Sequence, residues 1–138
     1  MGTKLDIFYR SKLKKIYNPK GDIWHALKAT DFGFSDFGEA YFTNIHFNQT
    51  KGWKKHKEMQ MNLIVPFGEV KFHIFDQNTN ETTRIILGFD NYERLTVPPG
   101  YWVAFSGLGT STNLILNISD IIHNSNESES ADITKFPL

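Results

Sequence analysis

Glu69-Val70-Lys71-Phe72-His73-Ile74-Phe75 alternates between two faces at a period of two, which is the signature of a strand with distinct sides. Phe67-Gly68 turns the chain into this segment. Asp76 to Glu81 is a polar hairpin loop, and Thr82 to Leu87 runs back. Upstream, Met59 to Pro66 is strand-like, with Met59, Met61, Leu63 and Val65 on one face and Gln60, Asn62 and Ile64 on the other. Glu39 to Phe47 and Ile23 to Leu27 read as further strands. Asn18-Pro19-Lys20-Gly21-Asp22, the Gly-rich stretch from Asp31 to Gly38, and Asn48 to Gly52 are the turns and loops between them. Downstream, Arg94 to Val97, Tyr101 to Phe105 and Asn113 to Ile118 complete the pattern, with Pro98-Pro99-Gly100 as a rigid corner. Arg10 to Tyr17 has too thin an apolar face for a helix and reads as an edge strand guarded by its lysines. About eight short strands with turn signals roughly every ten residues predict an all-β sandwich or barrel.

At 138 residues the chain has the length of one domain, and a domain of this size buries about 70% of its unfolded surface without a covalent staple. There is no Cys, which excludes disulfides, thiolate metal sites and cysteine nucleophiles and fits a reducing cytoplasm at least as well as secretion. Lys+Arg and Asp+Glu balance at 15 each, so no global field favours nucleic acid or an anionic membrane. No apolar run approaches the roughly 20 residues of a spanning helix. Met1 to Asp6 has no apolar core for a signal peptide, and Ile7 stands near where a myristoylation motif wants Ser or Thr. The stretch from Asn124 to Ser130 is low in complexity and reads as the start of an exposed polar tail over 124–138, after a domain spanning 1–123.

Two stretches carry a family likeness: Lys51-Gly52-Trp53-Lys54-Lys55-His56-Lys57, followed by Phe67-Gly68-Glu69-Val70, and then Val97-Pro98-Pro99-Gly100-Tyr101-Trp102-Val103-Ala104-Phe105. Their order and spacing resemble the two blocks of the RmlC-like cupins, the dTDP-4-dehydrorhamnose 3,5-epimerases and dTDP-sugar 3,4-ketoisomerases, over about residues 10 to 123. The resemblance implies an all-β, double-stranded β-helix (jelly-roll) cupin barrel. Lys54 stands where the epimerases have the His that abstracts the proton next to the ketone, Val103 where they have the His after Pro-Pro-Gly, and Leu116 at the Tyr general acid. The ketoisomerase branch is the better match, at Tyr41, His56 and Lys57; Lys51 replaces the family Arg, keeping the charge but losing its bidentate fork. Metal cupins need two His and a Glu in the first block and a His in the second. Here His56 stands alone, with Gln60 or Met61 near the Glu slot and Val103 in the last, so no metal is expected.

The resemblance implies a nucleotide-sugar epimerase or ketoisomerase of deoxysugar or surface-polysaccharide biosynthesis. It would act on a dTDP-4-keto-6-deoxy sugar by proton abstraction α to the ketone, without a cofactor. His56 is expected as the base, Lys54 as the oxyanion partner and Tyr41 as the proton donor or relay. Substrate contacts are expected from Lys51, Gln60, Asn62, Arg94, Tyr101 and Trp102. The expected partners are a nucleotide sugar and a second copy of the chain, with neither nucleic acid nor membrane. The other reading is a non-catalytic cupin that binds a sugar or sugar nucleotide.

Plainer roles stand beside these. The run from Lys51 to Lys57 also reads as a solvated basic stretch, Tyr41 as a packing aromatic, and Trp53, Tyr101 and Trp102 as core or dimer interface. Met59, Met61 and Leu63 have the opposite parity to Lys54 and His56, which requires a bulge or places one set outward. His25, His46, His73 and His123 are scattered and read as structural or exposed.

Overall fold

The computed structural model describes residues 5–138; the readings made on Met1 to Lys4 lie outside them. In chain order the strands are β1 (Tyr9–Lys12), β2 (Lys15–Ile16), β3 (Ile23–Trp24), β4 (Glu39–His46), β5 (Thr50–His56), β6 (Met61–Phe67), β7 (Glu69–Asp76), β8 (Glu81–Gly88), β9 (Glu93–Val97), β10 (Trp102–Gly107), β11 (Thr112–Ser119) and β12 (Ser128–Ser130). A five-stranded sheet runs β1-β9-β6-β11-β4, a second runs β12-β5-β10-β7-β8, and β2-β3 form a small ribbon. The strands of both sheets pair antiparallel, the jelly-roll arrangement of a cupin.

Alternation builds the core. Met61, Leu63 and Val65 of β6, Leu95 and Val97 of β9, and Ile115 of β11 face Val70, Phe72 and Ile74 of β7 and Ile85 and Leu87 of β8 across the sandwich. The parity conflict between Lys54 and Met61 resolves at Lys57–Gln60, where the chain leaves one sheet and enters the other. β6 is buried on both sides because the segment after β3 covers its outer face. There the Gly33 carbonyl accepts hydrogen bonds from the Gln60 and Asn62 amides, each at 3.0 Å.

The segment 124–138 is not the exposed tail its composition suggests. Asn124 caps a 3-10 turn at Ser125–Glu127, β12 pairs with β5, and the last residues lie across the outer face of the second sheet. Phe136 stacks on Phe75 with ring centroids 4.2 Å apart and packs against Trp53 and Trp102. Thr82 donates to the Pro137 carbonyl at 2.6 Å, and the Arg84 guanidinium donates to Leu138. A few well-spaced apolar residues, Ala131, Ile133 and Phe136, carry this docking, and each large side chain so covered contributes about 2 kcal/mol.

His73 faces this outer layer. Its Nε2 lies 3.0 Å from Ser106 Oγ, while its buried Nδ1 has no partner among the described residues. Burial first, then the charges of Lys71 and Arg84, push its pKa down to about 4. The unfolded chain, with His near 6.5, therefore binds the proton more readily, and the native state loses stability as pH falls from about 6.5 to about 4. We expect the melting temperature to drop by roughly 5 °C more across that window in the wild type than in His73→Gln, as read by circular dichroism.

Candidate active site

Between the sheets, at one end of the sandwich, lies a cavity of about 430 Å³. Its apolar floor comes from core positions, Met61, Leu63, Phe72, Val103 and Ile115, and its polar rim from Tyr41, Thr43, Lys51, Lys54 and Asn117. β5 and β10 bring the two family blocks together. Lys54 pairs with Val103, and a bulge follows, so that Lys51 pairs with Phe105. Gly52 sits in the bulge with φ +145°, where a Cβ would come within 2.5 Å of Ala104 Cβ, so only glycine lets β5 lie this close to β10. Lys51 also lines the cavity, with its ammonium donating to the Asn44 carbonyl at 2.8 Å.

His56 lies two residues beyond Lys54 and alternates to the same side of β5. It is buried and stands beyond the residues that line the cavity. Its Nδ1 is hydrogen-bonded to Glu127. Glu127 also accepts from the backbone amides of Glu58 and Met59, both at 3.2 Å. Burial opposes ionisation of Glu127, but the bond from His56 and those two amides outweigh it and hold the carboxyl below its usual range. An anionic Glu127 accepts the Nδ1 proton and leaves Nε2 as the basic nitrogen, the arrangement an imidazole needs to take up a proton.

Tyr41 stands across the cavity on β4, its hydroxyl accepting a 3.0 Å hydrogen bond from Asn117 Nδ2. The structure thus brings Tyr41, Lys51 and Lys54 to one cavity, with His56 beside it. The other expected contacts lie elsewhere, for packing reasons. Gln60, Asn62 and Arg94 tie the covering segment to the first sheet. Arg94 donates to Asn62 Oδ1 at 3.1 Å and to the carbonyls of Ala26 and Phe32 at 2.8 and 2.9 Å. Trp102 has the outward parity of β10 and belongs to the layer under Phe136, and Tyr101 packs edge-on against Phe8.

Sequence reasoning missed Glu127 and Asn117. An Asn followed three residues later by Glu is a helix-start signal, and Asn124 to Glu127 spells it inside the low-complexity stretch. Asn117 shares the inward parity of Ile115.

These features define a cupin barrel with a hydrogen-bonded His–Glu pair beside a ligand-sized cavity. No family model and no curated protein sequence matches the chain. Among solved structures it is similar to a dTDP sugar isomerase from Desulfovibrio desulfuricans, at 31% identity and TM-score 0.89, over 94% of this chain and 87% of that one. At that identity and coverage the chain belongs to the RmlC-like cupin family of dTDP-sugar isomerases. It shares the fold of QdtA, a sugar 3,4-ketoisomerase from Thermoanaerobacterium thermosaccharolyticum solved with TDP, at 21% identity and TM-score 0.78 over 91% of this chain and 88% of that one. It shares it too with the 3,5-epimerase RmlC from Legionella pneumophila solved with dTDP-4-keto-L-rhamnose, at 16% identity and TM-score 0.82 over 100% of this chain and 82% of that one.

Arg94 separates a structural guanidinium from a phosphate contact. Arg94→Met leaves the Ala26 and Phe32 carbonyls without their donor and is expected to cost about 3 kcal/mol of stability in urea unfolding. Calorimetric binding of dTDP to the folded fraction should stay within about twofold of wild type.

Proposed function

We propose that this protein isomerises or epimerises a dTDP-4-keto-6-deoxy sugar by moving a proton on the carbon next to the ketone. The observation that carries this reading is the His56–Glu127 pair beside a cavity whose rim holds Lys54 and Tyr41. The substrate class is supported by the dTDP sugar isomerase relative and by the ketoisomerase solved, as a variant, with TDP-4-keto-6-deoxyglucose. His56, oriented by Glu127, removes the proton α to the carbonyl. The electron pair moves onto the carbonyl oxygen, and the Lys54 ammonium stabilises the enediolate. Tyr41 then gives its proton to carbon and the proton taken by His56 returns to the phenolate; in an isomerisation the hydroxyl proton also passes from the oxygen that becomes the new carbonyl to the former carbonyl oxygen, so the reaction is redox-neutral. Lys51 supplies positive charge for the diphosphate.

A second reading, a cupin that binds the nucleotide sugar without turning it over, is favoured by one observation: His56 is buried and does not itself line the cavity.

The homodimer is part of the proposal. On the outer face of the first sheet, Phe42 is 63% exposed and stands in register with the half-buried Leu116. Such an apolar ridge suits a self-complementary two-fold contact.

Incubation with dTDP-4-keto-6-deoxyglucose in deuterated water should place deuterium on the sugar ring by NMR and yield an isomeric product. We expect His56→Ala to lower exchange by at least about 10²-fold and Glu127→Gln by about tenfold. Tight binding without exchange in the wild type would establish the binding module instead. For the dimer, Phe42→Glu is expected to give a monomer by light scattering where the wild type gives twice that mass.

A further inference from the structure

Two buried asparagines point inward from β11, and they differ in what holds them. Asn113 uses its whole amide: Oδ1 accepts from the backbone amides of Glu69 and Gly109, each at 2.9 Å, and Nδ2 donates to the carbonyls of Ile45 and Gly109, each at 3.0 Å. It fastens the turn before β11 to β4 and β7. Asn117, only 3% exposed, makes one bond, from Nδ2 to the Tyr41 hydroxyl, and its buried Oδ1 has no partner among the described residues.

Asn117 therefore contributes little to the fold. It pairs directly with Tyr41 on β4 and with Leu63 on β6, beside apolar Ile115 and Met61. An aliphatic side chain there would fill the same space without burying an unpaired carbonyl, which costs about 1–3 kcal/mol. Among the described residues, the group that uses this amide is a phenol on the cavity rim.

A hydroxyl that accepts an N–H bond on one side must direct its own proton elsewhere. With Asn117 Nδ2 donating from β11, the Tyr41 proton turns away from that strand and into the cavity. The same N–H stabilises the phenolate left when that proton departs.

We propose that Asn117 is the positioning residue of Tyr41. It commits the phenol to act as donor toward the bound sugar, so that it governs reprotonation and leaves proton abstraction alone. The inference rests on the isomerase reading above and deepens it. In the step it controls, the Tyr41 O–H bond breaks and a C–H bond forms on the enediolate. The phenolate is then neutralised by the proton taken earlier at His56.

Asn117→Asp is nearly isosteric but accepts where the amide donated, so it captures the phenolic proton and turns it away from the cavity. Asn117→Leu removes the donor without burying a charge. Both are compared with wild type and Tyr41→Phe in deuterated water, with thermal unfolding measured alongside. Product formation is expected to fall about 10²-fold in Asn117→Asp and about tenfold in Asn117→Leu. Exchange of deuterium into recovered substrate should stay within about threefold of wild type in both. Adding Asn117→Asp to Tyr41→Phe should lower turnover no further. The proposal is overturned if exchange and product formation fall together in Asn117→Leu, if neither falls, or if the Tyr41 and Asn117 losses multiply. Wild-type protein that shows neither exchange nor product would remove the isomerase reading and this proposal with it; an active wild type with unaltered Asn117 variants removes the proposal alone.

Discussion

Trp53 decides which way the cavity edge of β5 faces. Its indole is 1% exposed, packed on the outer side of the second sheet with Phe75, Trp102, Ala104 and Phe136, and its Nε1 donates to the Ile133 carbonyl at 3.1 Å. Its backbone exchanges two hydrogen bonds with Ala131, at 3.0 and 3.1 Å. Because side chains alternate along a strand, anchoring Trp53 outward turns Lys54 and His56 inward. A slip of one residue would send both side chains to the outer face and bring Lys55 into the cavity. Burying so large an aromatic contributes about 2–3 kcal/mol, enough to outweigh the cost of aiming a lysine at a partly apolar cavity. The bulge at Gly52 then lets Lys51 join the same rim despite its odd spacing from Lys54.

Lys54 is free to serve the cavity because Lys55 does something else. Lys55 lies on the outer side, its ammonium 5.2 Å from the centre of the Trp102 ring and 3.3 Å from a Glu129 carboxylate oxygen. Two adjacent lysines thus have separate places, one closing the outer layer and one lining the cavity. The run from Lys51 to Lys57, which also reads in the sequence as a solvated basic stretch, is divided by the pleat.

How far the fold is legible in the sequence depends on whether burial is one-sided. β7 announces itself because charged or polar residues alternate with apolar ones, and the bounds of β7, β8 and β11 come within a residue or two of the expected strands. β6 is harder. Gln60 and Asn62 look like residues on a wetted or ligand-facing side, yet both are buried because a segment some 30 positions earlier lies over them. No local period records such a cover. Arg94 misleads for the same reason, since a guanidinium suited to phosphate is equally suited to a cluster of backbone carbonyls. The last residues were hidden by composition: Ser, Asn and Glu dominate 124–130, and the docking residues are spaced too widely to form an apolar run. The rim was more legible. Lys51 and Lys54 emerge from a family block that lies on β5 and Tyr41 from the likeness to the ketoisomerase branch, whereas Glu127 and Asn117 matter only through side chains that meet across the sandwich.

The closing segment joins stability to chemistry. Ser128 to Ser130 pair with His56 to Lys54, so the strand that completes the second sheet begins immediately after Glu127, the residue that holds the His56 ring. Phe136, a few residues later, covers Trp53, which sets the facing of Lys54 and His56. Orientation of the imidazole and orientation of its strand are thus controlled from one stretch of chain. Glu127 is aimed by the 3-10 turn before β12, and the turn is held in place by β12 and the aromatic layer after it. Loosening of that layer would therefore reach the imidazole before it reached the main core, because Met61, Leu63, Phe72 and Ile115 pack between the sheets without help from the last residues. The cavity floor belongs to the sandwich, and Glu127, which holds the His56 ring beside it, belongs to the strap.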